Sequence, residues 1–285
     1  MHPGTGPVAP AEYAKLNKME SMNRRKDAVE FHEGEEKGES NMKQLRKKLS
    51  LLVLGGILMA GATVSAHPIR TPEGNMPMVH WAVVESTPGD MAKMGEVAAR
   101  TVGPQAAGEA GTYALYGDID AENPDVLRLI EIYESYEAYR IHATSEGFQA
   151  YRAERLPILK SLRILEANGI ALEQKAEGVG TVVLMHRYEV RPERLAEYQK
   201  LATAEAVRAV RDDAGVMGMF VTAEHDAPNI IHTMEIYRDE AAYQSYVESE
   251  AYGEYLRGLS SMFTAAREIT NRPAHIVLSA KGLQK

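Results

Sequence analysis

A segment that occurs twice constrains this chain more than any other feature. Residues 131–151 read EIYESYEAYRIHATSEGFQAY and residues 235–255 read EIYRDEAAYQSYVESEAYGEY, and the two align without a gap. Glu131, Ile132, Tyr133, Ala138, Tyr139, Ser145, Glu146 and Tyr151 return at one fixed offset as Glu235, Ile236, Tyr237, Ala242, Tyr243, Ser249, Glu250 and Tyr255. The same offset relates Glu85 to Glu189, Pro88 to Pro192, Gly111 to Gly215 and Pro124 to Pro228. A register that long exceeds a solenoid unit, so the chain reads as one domain written twice. A length of 285 residues agrees with two domains.

Each copy gives the order β-α-β-β-α-β. In the first, Met78 to Glu85 reads as a strand, and Thr87-Pro88-Gly89-Asp90 turns into a helix whose apolar residues Met91, Met94, Val97 and Ala98 keep helical spacing. Gly103-Pro104 marks that helix's end. Gly111 to Ile119 and Val126 to Tyr133 read as strands joined by a polar turn, and a broken helical pair is expected over Ser135 to Thr144 and Glu146 to Glu166. Ile170 to Gln174 is a short last strand. The second copy predicts strands at Thr181 to Val190, Val216 to Glu224, Asn229 to Tyr237 and Ala274 to Ser279. Its helices are expected from Pro192 to about Arg211, over Asp239 to Ser249 and over Glu250 to Thr270. Lys175 to Gly180 is a linker so short that the copies must be neighbours. Apolar residues alternate on both faces of Val126 to Tyr133, so each sheet needs a cover beyond its own helices, and the other copy supplies it.

Ahead of the repeats, residues 1–41 are charged and aperiodic and read as a disordered extension. Residues 42–66 follow the grammar of a secretory signal: four cations from Lys43 to Lys48, an apolar centre from Leu49, and Val64-Ser-Ala66 before a cut after Ala66. The alternative is an uncleaved anchor, but the apolar run falls short of the ~20 residues a spanning helix needs. The expectation is therefore an exported, periplasmic or secreted protein, with Met42 as the start and no stable membrane association after cleavage. The absence of cysteine removes disulfides and thiolate chemistry. The formal charge of −8, more acidic still beyond residue 66, argues against nucleic-acid or anionic-lipid partners. No dinucleotide, P-loop or serine-hydrolase motif is present.

The pattern Glu131-Ile-Tyr-x-x-x-x-Ala-Tyr-x-x-His142-x-x-Ser145-x-x-Phe148 resembles the strand-to-helix signature of the antibiotic biosynthesis monooxygenase family, with its quinol-monooxygenase-type proteins, in the dimeric α+β barrel superfamily. The resemblance spans both copies, as domains at 76–175 and 179–281. It implies an α+β fold of two tandem ferredoxin-like βαββαβ units, packed sheet to sheet as an intrachain dimeric α+β barrel. It also implies oxidation of a small phenolic or quinol-type aromatic by O2, with no metal or organic cofactor. The family's second histidine, before the Phe, is replaced by Gly147 and Ala251, and the position of His142 is Tyr246 in the second copy. A haem reading lacks its axial histidine, since Arg152 and Leu256 stand there.

His142 is the expected catalytic base, because imidazole titrates nearest neutrality. A histidine that merely packs in a helix is the alternative. Trp81, Tyr116, Tyr133, Tyr139 and Phe148 are the expected substrate-binding aromatics, against the reading of ordinary core residues. Glu131 and Glu235 are expected in structural pairs, and the scattered histidines of the second copy show no metal-site spacing. Two functions remain open: a cofactor-independent monooxygenase working in the first copy, or a non-catalytic barrel that binds a small apolar ligand or serves a structural role. The internal pseudo-dimer points to a monomer.

Overall fold

The computed structural model describes residues 66–175, 180–271 and 276–280. The extension at 1–41, the signal-like segment apart from Ala66, and linker residues 176–179 lie outside the described residues. A short strand β1 (Ala66–Pro68) precedes the first unit, which comprises β2 (Met78–Ser86), α1 (Met91–Arg100), α2 (Val102–Gly108), β3 (Thr112–Ile119), β4 (Val126–Tyr133), α3 (Tyr136–Thr144), α4 (Glu146–Arg155) and β5 (Leu159–Lys175). The second unit comprises β6 (Val182–Val190), α5 (Leu195–Asp212), β7 (Val216–Glu224), β8 (Ile230–Tyr237), α6 (Glu240–Val247), α7 (Glu250–Gly258), β9 (Phe263–Asn271) and β10 (Ile276–Ala280).

The recurring residues recur for structural reasons. Ser135 and Asp239 cap α3 and α6, their side chains accepting from the backbone N–H of Ala138 and Ala242. Ser145 and Ser249 do the same for α4 and α7, through Phe148 and Tyr252. Each cap satisfies a helix-end donor and is worth about 1 kcal/mol. Gly111 and Gly215 sit against Ala138 and Ala242 so tightly that a Cβ on either glycine would come within 2.6 and 2.3 Å of the alanine methyl. A small pair therefore sets how closely helix and strand approach in both units. The Tyr133 and Tyr237 hydroxyls donate to Glu131 and Glu235, at 3.1 and 2.6 Å.

One antiparallel sheet runs through both units in the order β10-β3-β4-β2-β5-β7-β8-β6-β9. Its two ends, β9 and β10, are separated in the chain only by residues 272–275, and one face of the sheet encloses a core drawn from both units. Seventeen-residue β5 makes the corresponding connection on the other side. It pairs first with β2, then bends at an irregularity between Gly169 and Ala171 and pairs with β7. Residues of both units meet in the barrel interior, among them Val79, Trp81, Ile130, Val183, Phe220 and Met234. Two further cores lie outside the barrel, each between the sheet and its unit's helices. The unit-to-unit contact is thus one continuous hydrogen-bonded sheet wrapped round a shared core.

Two expectations are corrected. The helices predicted to run on to Glu166 and Thr270 stop at Arg155 and Gly258, and the residues beyond form β5 and β9. Pro157 cannot continue an α-helix. β5 packs side chains into two cores, Leu165 and Leu172 into one and Leu162 and Ile164 into another, so its apolar spacing imitates a helical one. Gly103-Pro104 does not end a helix: the break falls at Thr101, and Pro104 lies in the first turn of α2, where its missing N–H costs nothing. Ahead of β2, β1 pairs with the far half of β5, Ile69 is buried in the barrel interior, and Arg70 reaches Glu173 at 3.5 Å.

Candidate functional site

The aromatics singled out from sequence fall on two sides of the sheet. His142, on α3, is 1% exposed, with Nδ1 2.8 Å from Glu109 Oε2, an oxygen that also accepts from the Thr112 hydroxyl. Tyr133 and Phe148 flank its ring at 5.5 and 5.2 Å, and Tyr139 packs on Tyr133. These four come together between sheet and helices. Trp81 and Tyr116 instead face the barrel interior, where Trp81 Nε1 donates to Thr222 and Tyr116 donates to Gln174 and stacks on Phe220. Val84, Leu115, Leu129 and Tyr151 are buried in the core of the same layer, and Leu129 leans over Gly117 at 3.1 Å from where a Cβ would stand. A side chain at Gly147 would strike the Thr101 carbonyl and Gln105, so α4 approaches α1 and α2 too closely for an imidazole at that position.

The second unit holds a cavity in the equivalent place. It measures about 20 Å³, room for one or two water molecules, and lies between β6, β7 and β8 on one side and α5, α6 and α7 on the other. Tyr188, Glu205, Thr233, Glu235, Tyr246 and Tyr255 supply its polar lining, and Ala202, Ala206, Met219, Phe220 and Val221 the apolar part. Four equivalent positions differ between the two units here. Where the first unit has Val84, Thr101, Leu129 and His142, the second has Tyr188, Glu205, Thr233 and Tyr246. None of the residues of α7 is fully buried, so the helix over the cavity is held less firmly than the sheet beneath it.

Two carboxylates anchor this site differently. Glu205 is bound bidentately by Arg208, at 2.6 and 3.0 Å, and accepts from the Tyr246 hydroxyl at 2.8 Å. Its charge is compensated and its oxygens are occupied. Glu235 accepts from Tyr237 through Oε2, while Oε1 lies 3.6 Å from His186 Nδ1, beyond hydrogen-bond length. His186 Nδ1 is 3.3 Å from the Thr233 hydroxyl, and its ring stacks on Tyr188. Burial first and the negative charge of Glu235 next push the Tyr188 and Tyr246 hydroxyls above the ordinary tyrosine range. Burial, with Tyr198 and Glu235 adding, does the same to Tyr255. Those phenols stay protonated.

Reading residues singly from sequence assigned Glu235 a structural pairing and left Tyr188, His186, Glu205 and Tyr255 aside. The usable signal was a set of exchanges at one register that bring in hydroxyls and a carboxylate: Val84 to Tyr188, Leu129 to Thr233, Thr101 to Glu205. Among the described residues no group of three His, Asp or Glu is placed to hold a metal ion.

Residues 181–258, from β6 to the end of α7, match the family model for antibiotic biosynthesis monooxygenase. A candidate monooxygenase from Lactobacillus acidophilus superposes with a TM-score of 0.66 at 15% identity, covering 73% of this chain and 97% of that one. A candidate monooxygenase from Fusobacterium nucleatum gives 0.66 at 15% identity over 73% and 96%. At that identity these two show the fold. A candidate antibiotic biosynthesis monooxygenase from Bacteroides thetaiotaomicron is 32% identical over 33% of this chain and 90% of that one, with a TM-score of 0.32. No curated protein matches the chain. The family match covers the elements that enclose the cavity, and the chain belongs to the antibiotic biosynthesis monooxygenase family.

Proposed function

We propose that the protein is an exported monooxygenase that oxidises a small phenolic or quinol-type aromatic with O2 as co-substrate and without metal or organic cofactor, in the cavity of the second unit. The observation that carries this reading is the lining itself, a carboxylate with an unoccupied oxygen among protonated tyrosines in a largely apolar space. Glu235 accepts the substrate's hydroxyl proton, with His186 beside it to steady the charge. The resulting electron-rich anion passes an electron to O2. The walls of Met219 and Val221 keep the radical pair together and keep water out. Collapse of the pair puts one oxygen atom on the ring and releases the other as water, so a quinol plus O2 gives a hydroxyquinone plus water.

Substrate enters by an outward movement of α7, the lightly buried helix over the cavity. Export rests on the signal-like segment 42–66. Among the described residues no helix is long and apolar enough to cross a membrane.

Oxygen uptake with a panel of hydroquinones tests the reading. Glu235→Gln should lower the rate by about 10²-fold or more, the usual contribution of a general base, while folded His142→Ala should keep most of it. Loss of activity in His142→Ala with Glu235→Gln unaffected would return the chemistry to the first unit. Background rates for the wild type would leave a ligand-binding barrel without chemistry.

A further inference from the structure

We infer that the second-unit cavity selects aromatics by charge: it takes a neutral ring through a hydroxyl group and excludes one that carries a carboxylate, with Glu235 as the selecting residue. The inference deepens the proposed function and rests on its choice of cavity, but not on the oxygen chemistry.

The hydrogen-bond inventory of the lining leads there. Glu205 is saturated and neutralised by Arg208 and Tyr246, so it offers a ligand neither charge nor an open oxygen. Glu235 meets only the Tyr237 hydroxyl and the His186 imidazole, and among the described residues no lysine or arginine pairs with it. Among the described residues it is therefore the cavity carboxylate without a lysine or arginine partner, and its ionised Oε1 can only accept. The hydroxyls of Tyr188 and Tyr255 also line the space, and both sense the Glu235 charge. The lining thus presents one acceptor that cannot donate beside hydroxyls that can.

A phenolic O–H complements that pair, donating to Glu235 and accepting from a tyrosine. A ring carboxylate would satisfy the tyrosines yet stand against Glu235 in a space that water does not screen, where like charges repel strongly. The first unit lacks the arrangement. Glu131 is present, but Leu129 and Val84 occupy the positions of Thr233 and Tyr188.

The test is equilibrium binding under anaerobic conditions, using hydroquinone, 4-hydroxybenzoate and its neutral near-isostere 4-hydroxybenzamide as probes. Hydroquinone and the amide should bind the wild type at least tenfold more tightly than the acid. In Glu235→Gln that ratio should fall toward one. Because the three-probe comparison uses wild-type protein, it decides the matter even if the variant does not fold. Equal binding of acid and amide overturns the inference, as does an unchanged ratio in folded Glu235→Gln. Failure of all three probes to bind overturns it together with the proposed site. Selective binding without oxygen uptake leaves the inference standing and removes only the chemistry.

Discussion

The two units share a backbone plan and differ in what fills the layer between sheet and helices. In the first, Val84, Leu115, Leu129 and Tyr151 are packed into the layer, and His142 there is held by Glu109. In the second, Tyr188, Thr233, Glu205 and Tyr246 surround a void. Both units keep the same caps, the same glycine-alanine contacts and the same tyrosine-glutamate hydrogen bond. What the pair teaches is that the recurring motif builds the frame, while the departures from it decide which half holds a site.

The comparison can be broken most forcefully at Leu129. Leu129→Ala would open the first unit's filled layer, and a buried leucine truncated to alanine costs about 2–5 kcal/mol. Its counterpart Thr233→Ala, beside an existing void, should cost under about 1 kcal/mol. Urea unfolding of both variants measures the gap, and equal costs would show the two layers to be packed alike.

His142 and Tyr246 come next. Each points a polar atom at a carboxylate, Glu109 in one unit and Glu205 in the other. His142→Ala leaves Glu109 buried with only Thr112 to hydrogen-bond it, a loss of about 3 kcal/mol, the low end for breaking a buried pair. Tyr246→Phe removes one neutral donor from a glutamate still held by Arg208, about 1 kcal/mol. A reversed order in denaturant midpoints would mean that the second-unit hydroxyl, not the first-unit imidazole, is the structural keystone.

Assembly is a further point of contact between the halves. Because each unit's sheet is completed by the other within one chain, we expect a monomer in solution by light scattering. A tight dimer would show that another surface needs covering.

Much of the frame was legible in the sequence. The fixed register fixed the repeated element order, and alternation placed Val126 to Tyr133 where the structure has β4, with apolar residues on both faces for two different cores. The long strand β5 was not legible, because a strand that packs on both faces has no clean period, and β9 was not legible because the residues just before it follow helix α7 without a change of composition. Nor was the void. Its presence depends on the sum of side-chain volumes from three strands and three helices, and no single position such as His142 carries that sum.

The smallest expected effect is also the one whose sign is least intuitive. At the place where the second unit has Leu184, the first has His80, which is buried and whose two ring nitrogens find no hydrogen-bond partner. It packs edge-on against Tyr139 at 4.7 Å. Burial lowers its pKa, with Glu131 and Glu166 opposing but not cancelling the effect. The folded protein therefore holds fewer protons here than the unfolded chain, so this residue's contribution favours folding above the unfolded value of about 6.5 and is progressively lost as pH falls below it. His80→Leu copies the second unit's solution. It should stabilise the protein by about 1–2 kcal/mol at neutral pH, the scale of one unsatisfied buried polar group. It should also flatten the decline in stability below pH 6.5, leaving the part due to His232, whose pKa is lowered chiefly by burial as well. Thermal unfolding from pH 5 to 8 measures both. A destabilised variant with the wild-type pH slope would mean that the imidazole is held by a partner such as buried water, and that the first unit too keeps a polar site in its outer layer.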